Sequence, residues 1–151
     1  GPSLTPRVDS TSVAIMKQLG DGSLRFGAPE IYNAVVDVRD VAEAHLEAAI
    51  SPEAEGRHLL VSEVLSLVEM GKVLREAFGK KYGFPTRPLP RWLLMLAGPM
   101  LGFSREYFRR NLGLPLRFDN SKSIEDLEMD YIPSAQTLSD HFQQLIDKKV
   151  V

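Results

Sequence analysis

Residues 35–70 read VVDVRDVAEAHLEAAISPEAEGRHLLVSEVLSLVEM, and this stretch decides the fold. Ala34 to Val38 (AVVDV) is β-branched and nearly all apolar, the composition of a buried strand. After Asp40, the residues Val41, Ala42, Ala44, His45, Leu46, Ala48, Ala49 and Ile50 recur at helical spacing, with His45 on the side expected to be buried. Asp37 or Asp40 can cap that helix, because a carboxylate there accepts unpaired amide hydrogens and meets the positive end of the helix dipole. Ser51-Pro52 ends it, Gly56 punctuates the loop, and His58 to Val61 (HLLV) again has strand composition. Ser66 and Glu69 form an S-x-x-E capping box opening a helix that runs to Phe78 and is closed by Gly79. Its buried stripe is Leu67, Val68, Met70, Val73, Leu74 and Phe78. This alternation of strand and helix is that of an α/β protein.

On the amino-terminal side, Gly1 to Asp9 is polar and aperiodic. Ser10 or Ser12 then caps a short helix with apolar positions Val13, Ile15, Met16 and Leu19, stopped by Gly20. Gly20-Asp21-Gly22-Ser23 reads as a turn. On the carboxyl-terminal side, Pro85, Pro88, Pro90 and Pro99 break up the chain, and Pro90 suits the first turn of a short apolar helix from Arg91 to Ala97. Ser104 caps a helix up to Leu112, Leu116 to Asp119 reads as a short strand, Ser121 opens a helix to Glu128, and Ser134 opens one towards Asp147. Two or three strands cannot form a parallel sheet that buries both its faces. The expectation is one unit over residues 1–151, α/β in class, with few strands, several helices and an incomplete sheet, cut from something larger.

Composition narrows the function. The 151 residues carry a formal net charge of −2, which argues against a dedicated nucleic-acid binder. Cysteine is absent, and with it disulfides, thiolate metal sites and cysteine nucleophiles. The apolar run Trp92 to Phe103 is interrupted by Gly98, Pro99 and Gly102 and is too short to span a bilayer, so no membrane partner and a cytoplasmic location are expected. Gly20-Asp21-Gly22 follows a helix and has Arg25 where a dinucleotide loop needs its third glycine. His45, His58 and His141 sit on different elements, which excludes a paired-histidine metal motif. No G-x-S-x-G elbow occurs. The carboxylates Glu53, Glu55, Asp119, Glu125, Asp126, Glu128 and Asp130 fall in loops or first helical turns, where capping accounts for them. The best recognition candidate is Trp92 to Phe108, either core or an apolar wall for a substrate. No self-contained catalytic set is present.

Three stretches together bring a family into view. Gly1-Pro2-Ser3-Leu4 resembles the G-P-x-L segment after the nicotinamide-side strand of extended short-chain dehydrogenase/reductases. Val35 to Met70 resembles that family's strand, D-V-x-D-V-A-x-A-H helix and G-R strand. Phe118 to Pro133 (FDNSKSIEDLEMDYIP) is similar to its late D-x-S-K-A-x-x-x-L-G-W-x-P segment. The nearest likeness is to dihydroflavonol reductases, cinnamoyl-type reductases and bacterial aldehyde reductases. The resemblance implies a longer protein with an amino-terminal Rossmann half, NAD or NADP, and a Tyr-x-x-x-Lys pair that protonates a carbonyl as hydride arrives. None of the four tyrosines here has a lysine four residues on, so no catalytic residue is assigned to this chain.

Carried over by position, Gly1, Pro2 and Ser3 would lie by the cofactor. Leu4, Arg7, Met16, Tyr32, Asn33, Ala34, Trp92 and Tyr107 would contact substrate, and no metal ligand is implied. Asp37, Asp40 and His45 read as structural, and Ser121-Lys122 as a helix start. The expected function is the substrate-binding portion of an NAD(P)H-dependent reductase of an aldehyde or ketone, binding no cofactor and inactive without its Rossmann half. Alternatives are a nucleotide-sugar epimerase or dehydratase of the same superfamily, kept open by Arg105, Arg109 and Arg110, or a non-catalytic binding module of this fold. Unpaired strand edges in the isolated chain lead to the further expectation of a homodimer or poor solubility.

Overall fold

The computed structural model describes residues 1–3, 10–98 and 104–151. Among them, helices and strands follow in the order α1 (Thr11–Gly20), β1 (Tyr32–Val35), α2 (Val38–Ile50), β2 (Glu63–Ser66), α3 (Leu67–Phe78), α4 (Arg91–Ala97), α5 (Arg105–Asn111), α6 (Ser121–Asp126) and α7 (Ser134–Asp147). The class is α/β, with several helices and a sheet of two strands among the described residues.

Local chemistry sets the helix starts. Ser10 Oγ accepts the Val13 amide at 3.3 Å, and Ser104 Oγ accepts the Tyr107 amide at 3.0 Å. Asp37 caps α2, accepting the Arg39 amide at 2.9 Å. Asp40 serves a different purpose: wholly buried, it accepts the Ile132 amide at 3.1 Å and ties α2 to the segment before α7. The capping box of α3 is complete, with Ser66 Oγ accepting the Glu69 amide at 3.2 Å and Glu69 Oε2 accepting the Ser66 amide at 2.7 Å.

The main core lies where α1, α3 and α7 meet. Val13, Met16 and Leu19 pack against Met70 and Leu74 and against Leu138, Phe142 and Leu145. Phe142 is also ringed by Phe78, Tyr82 and Phe84, each with its ring centroid 5.0 Å away. Two smaller clusters sit apart. Ala44, Leu127 and Met129 join α2 to the α6–α7 connection, and Leu94, Phe108 and Leu112 form a local core for α4 and α5.

Several strand assignments differ from expectation. β1 occupies Tyr32–Val35, starting two residues and ending three residues before the expected Ala34 to Val38, because Asp37 leaves the strand to cap α2. Its partner is Glu63–Ser66, paired antiparallel with Tyr32 opposite Ser66 and Val35 opposite Glu63. His58 to Val61 and Leu116 to Asp119 are not strands. Strand composition without a neighbouring strand leaves the backbone no ladder to join. α6 ends at Asp126, short of Glu128, which turns into left-handed backbone at φ 50°. His45 is exposed instead of buried, its Nδ1 2.6 Å from the Val41 carbonyl oxygen. α2 buries only Asp40 and Ala44, and His45 is not among the residues of the cluster that covers Ala44.

Candidate functional site

Residues of α1, β1, α3 and α7 line a half-open cleft of about 340 Å³. α1 supplies Ile15 and Met16, β1 supplies Asn33, Ala34 and Val35, α3 supplies Met70, and α7 supplies Thr137, Leu138 and His141. Gly1 joins them. Met16, Val35, Met70 and Leu138 are buried core residues, so the walls are largely apolar.

One side of the cleft is braced electrostatically. Asp37 is wholly buried and receives Arg39 Nε at 2.9 Å and Nη2 at 2.8 Å. Arg39 Nη2 also donates to Asp140 Oδ2 at 2.7 Å, tying the β1–α2 junction to α7. The guanidinium holds the Asp37 carboxyl well below the usual carboxylate range, and the two carboxylates in turn push the guanidinium up. Burial pushes the Asp40 carboxyl the other way, upward. Gly1 packs on this group so closely that a Cβ there would come within 2.4 Å of Asp37 Oδ1. The Ser3 amide donates to Gln144 Oε1 at 2.7 Å and its carbonyl accepts from Gln144 Nε2 at 2.8 Å, fastening the opening residues to α7.

His141 is the other polar feature. It is 5% exposed, and its Nε2 has no hydrogen-bond partner. Burial pulls the imidazole down to about 4, so the ring is neutral at pH 7.

Of the residues singled out from sequence, Gly1, Met16, Asn33 and Ala34 meet at this cleft. Ser3 lies against α7, and Pro2 is half-buried between Gly1 and Ser3. Tyr32 does not line the cleft; burial and the neighbouring Glu30 and Glu69 charges raise its phenol. Trp92 and Tyr107 sit on α4 and α5, 68% and 38% exposed, away from the cleft. Leu4 and Arg7 lie outside the described residues, as do positions 99–103 of the Trp92 to Phe108 stretch. Met70, Leu138 and His141 were not anticipated as site residues. The signal was present, since Ser134, Thr137, Leu138, His141, Phe142 and Leu145 fall at helical spacing on one stripe.

Among the described residues no group of three or more His, Cys, Asp or Glu is placed to hold a metal ion, and no helix is long and apolar enough to cross a membrane. Gly20 is packed on the Phe142 ring, where a Cβ would meet carbon at 2.4 Å, and Gly22 is part of a turn, so neither offers a pyrophosphate cradle.

No protein-family model matches the chain. In sequence it is 30% identical over 148 residues to cinnamoyl-CoA reductase 1 of Arabidopsis thaliana, a match covering 98% of this chain and 37% of that protein. It is likewise 30% identical over 148 residues to cinnamoyl-CoA reductase 1 of Petunia hybrida. It is 28% identical over 138 residues to the NADPH-dependent methylglyoxal reductase GRE2 of Saccharomyces cerevisiae, covering 91% of this chain and 36% of that one. Among solved structures, Gre2 from Candida albicans superimposes with a TM-score of 0.65 at 23% identity, covering 99% of this chain and 42% of the other, which shows a shared fold. The chain thus spans under two-fifths of the length of these curated relatives, in their carboxyl-terminal part.

Proposed function

We propose that this chain belongs with the extended short-chain dehydrogenase/reductases and is the substrate-side portion of an NAD(P)H-dependent reductase of aldehydes or ketones. The observation that carries the reading is the likeness, across nearly the whole chain, to reductases of carbonyl compounds. The cleft adds support, because four residues expected at the active site from sequence converge there.

In this reading the reduced nicotinamide and the proton donor belong to a cofactor-binding half that pairs with this chain. The chain's own residues bind and orient. Met16, Val35, Met70 and Leu138 exclude water from an apolar substrate. Asn33, held by its Nδ2 donating to the Ile31 carbonyl at 3.3 Å, stands at the cleft as a polar contact. The Asp37–Arg39–Asp140 brace fixes the separation of β1 from α7 and hence the width of the cleft. A nucleotide sugar would want arginines converging on its phosphates. Instead Arg105 Nε donates to the Met95 carbonyl at 3.2 Å, Arg110 Nη2 donates to Glu106 Oε1 at 2.5 Å, and neither they nor Arg109 line the cleft.

The test is oxidation of reduced nicotinamide by the full-length protein and by this chain alone, over a panel of aldehydes and ketones. Turnover by the full-length protein with none by the chain is the expected result. Asn33→Ala should raise KM roughly 2- to 12-fold, the worth of one hydrogen bond, with kcat little changed. A full-length protein that reduces no carbonyl yet interconverts a nucleotide sugar would overturn the proposal, as would one inert in both assays.

A further inference from the structure

Charge is spread unevenly along the chain. Residues 87–118 hold six arginines, at 87, 91, 105, 109, 110 and 117, against one acid, Glu106; the balance is +5 in a chain whose total is −2. All six are exposed, and among the described residues only Arg109 and Arg110 are ion-paired, both to Glu106. Hydrocarbon is exposed in the same region. Trp92, Leu96 and Phe26 are 68%, 65% and 64% exposed, and Leu114, Leu116 and Phe118 are exposed as well. These residues belong to one small body. Leu94, Phe108 and Leu112 pack α4 on α5, and Arg105 Nε donates to the Met95 carbonyl. Residues 26–31 are stitched to both ends of that pair. The Leu89 amide donates to the Ala28 carbonyl at 2.9 Å, the Gly113 amide to the Glu30 carbonyl at 2.8 Å, and Arg87 Nε to the Phe26 carbonyl at 3.0 Å. Trp92 and Leu96, four residues apart, stand about 40° apart around α4. Each is two residues from the buried Leu94, so both lie on the side of the helix turned away from the local core.

We propose that this body docks on the surface of an anionic lipid bilayer, its exposed aromatic and aliphatic side chains entering the headgroup–acyl boundary and its arginines resting on lipid phosphates. A single apolar side chain in water is ordinary, but a group of them set among charges of one sign marks a surface made for a partner. The bilayer boundary offers both matching chemistries at once, phosphate above and hydrocarbon beneath. Tryptophan settles at that level, and an arginine stem lies along hydrocarbon while its guanidinium meets phosphate with paired donors. A nucleic acid would use the arginines but leave Leu96, Leu114 and Leu116 in water, since bases stack on rings. A protein interface gathers its hydrocarbon into a core depleted of charge, whereas here the two alternate, at Arg91-Trp92 and at Leu116-Arg117-Phe118. The exposed apolar residues of α2 have Glu43 and Glu47 among them, which an anionic surface would repel, so the charge selects the α4–α5 body. Lying on a bilayer needs a face and no span, so the shortness of the apolar run from Trp92 is no obstacle. The proposal is independent of the reductase reading.

The test is co-sedimentation of the full-length protein with vesicles of phosphatidylcholine alone and of phosphatidylcholine with about one-third phosphatidylserine. It is paired with fluorescence of this chain, whose one tryptophan is Trp92. Binding should be confined to the vesicles that contain phosphatidylserine and should weaken as salt rises. Trp92 emission should shift to the blue on binding and be quenched by lipids brominated in the acyl chain. Arg91→Gln with Arg117→Gln should weaken binding roughly 30-fold, about fivefold for each charge lost at the surface. Removing two charges elsewhere, by Lys17→Gln with Lys72→Gln, should change little. Leu96→Ser should weaken binding roughly tenfold, and because all these positions are exposed the urea midpoint should not move. Equal binding to both kinds of vesicle, no binding to either, an unmoved Trp92, or equal losses from the two charge pairs would overturn the proposal. Binding by the chain but not by the full-length protein would overturn it too, making this the surface that the cofactor-binding half covers. So would displacement from the vesicles by a single-stranded oligonucleotide that binds more tightly, which would make it a nucleic-acid surface.

Discussion

At the residue scale, three buried side chains near the cleft answer pH in different senses. His141 is held at about 4 against an ordinary 6.5, so below 6.5 the unfolded chain takes up a proton that the folded chain refuses. Its contribution to stability is therefore full above 6.5 and is lost as pH falls through about 4. At about 1.4 kcal/mol per unit this is of the order of 3 kcal/mol. Asp37 is depressed by Arg39, so its contribution survives this window and goes only at more acid pH. Asp40, raised by burial, acts oppositely: the folded form takes its proton first, and acidification through its raised pKa favours folding. The histidine term is isolated by difference. Urea unfolding of the chain and of His141→Gln at a series of pH values should show the wild-type advantage shrinking by about 3 kcal/mol between pH 7.5 and 4. A pH-independent difference would mean the imidazole titrates as it does in water.

At the element scale, helices were legible because their signals are local. Ser10 and Asp37, each one of two candidates for its cap, and Ser66 and Ser104 stand at helix starts, and each accepts an amide of the first turn. Ser66→Ala should cost about 1 kcal/mol, since it removes the Oγ that accepts the Glu69 amide while the Ser66 amide can still donate to the Glu69 carboxylate, and the loss should appear in the urea midpoint without a change in slope. Gly71 makes a sharper test because two effects oppose. Alanine in mid-helix gains about 1 kcal/mol in propensity. The new Cβ would, however, lie 2.2 Å from the Pro85 carbonyl oxygen, a backbone atom that cannot swing aside. The clash should win, and Gly71→Ala should destabilise by about 1–3 kcal/mol net. Strands were less legible, because a strand exists only by its partner. HLLV at 58–61 has the right residues and no ladder, whereas Glu63–Ser66, less apolar, pairs with β1. The site was legible in the same measure. Met16, Asn33 and Ala34 came from local stretches, whereas the stripe bearing His141 marks it as buried and only the packing of α7 on α1 and α3 brings it to the cleft.

At the scale of the whole molecule, the distribution of exposed apolar side chains is uneven. Val38, Leu46 and Ile50 on α2 are 50%, 60% and 66% exposed, and Leu59 in the neighbouring unladdered segment is 44% exposed. An α2 that buries only Asp40 and Ala44 leaves hydrocarbon facing water beside a backbone with strand composition and no strand partner. Such a face drives association. If a cofactor-binding half pairs with this chain, covering this face is the natural way for it to do so, and the two states of the protein should respond oppositely to one change. In the isolated chain, Leu46→Ser with Ile50→Ser removes exposed hydrocarbon, so it should leave the urea midpoint nearly unchanged and lower self-association in sedimentation. In the full-length protein the same pair would empty a packed interface, at about 2 kcal/mol or more per side chain, and should cost several degrees of Tm. Equal, small effects in both would mean that α2 faces solvent in the whole protein as it does here, and that the two halves meet on another surface.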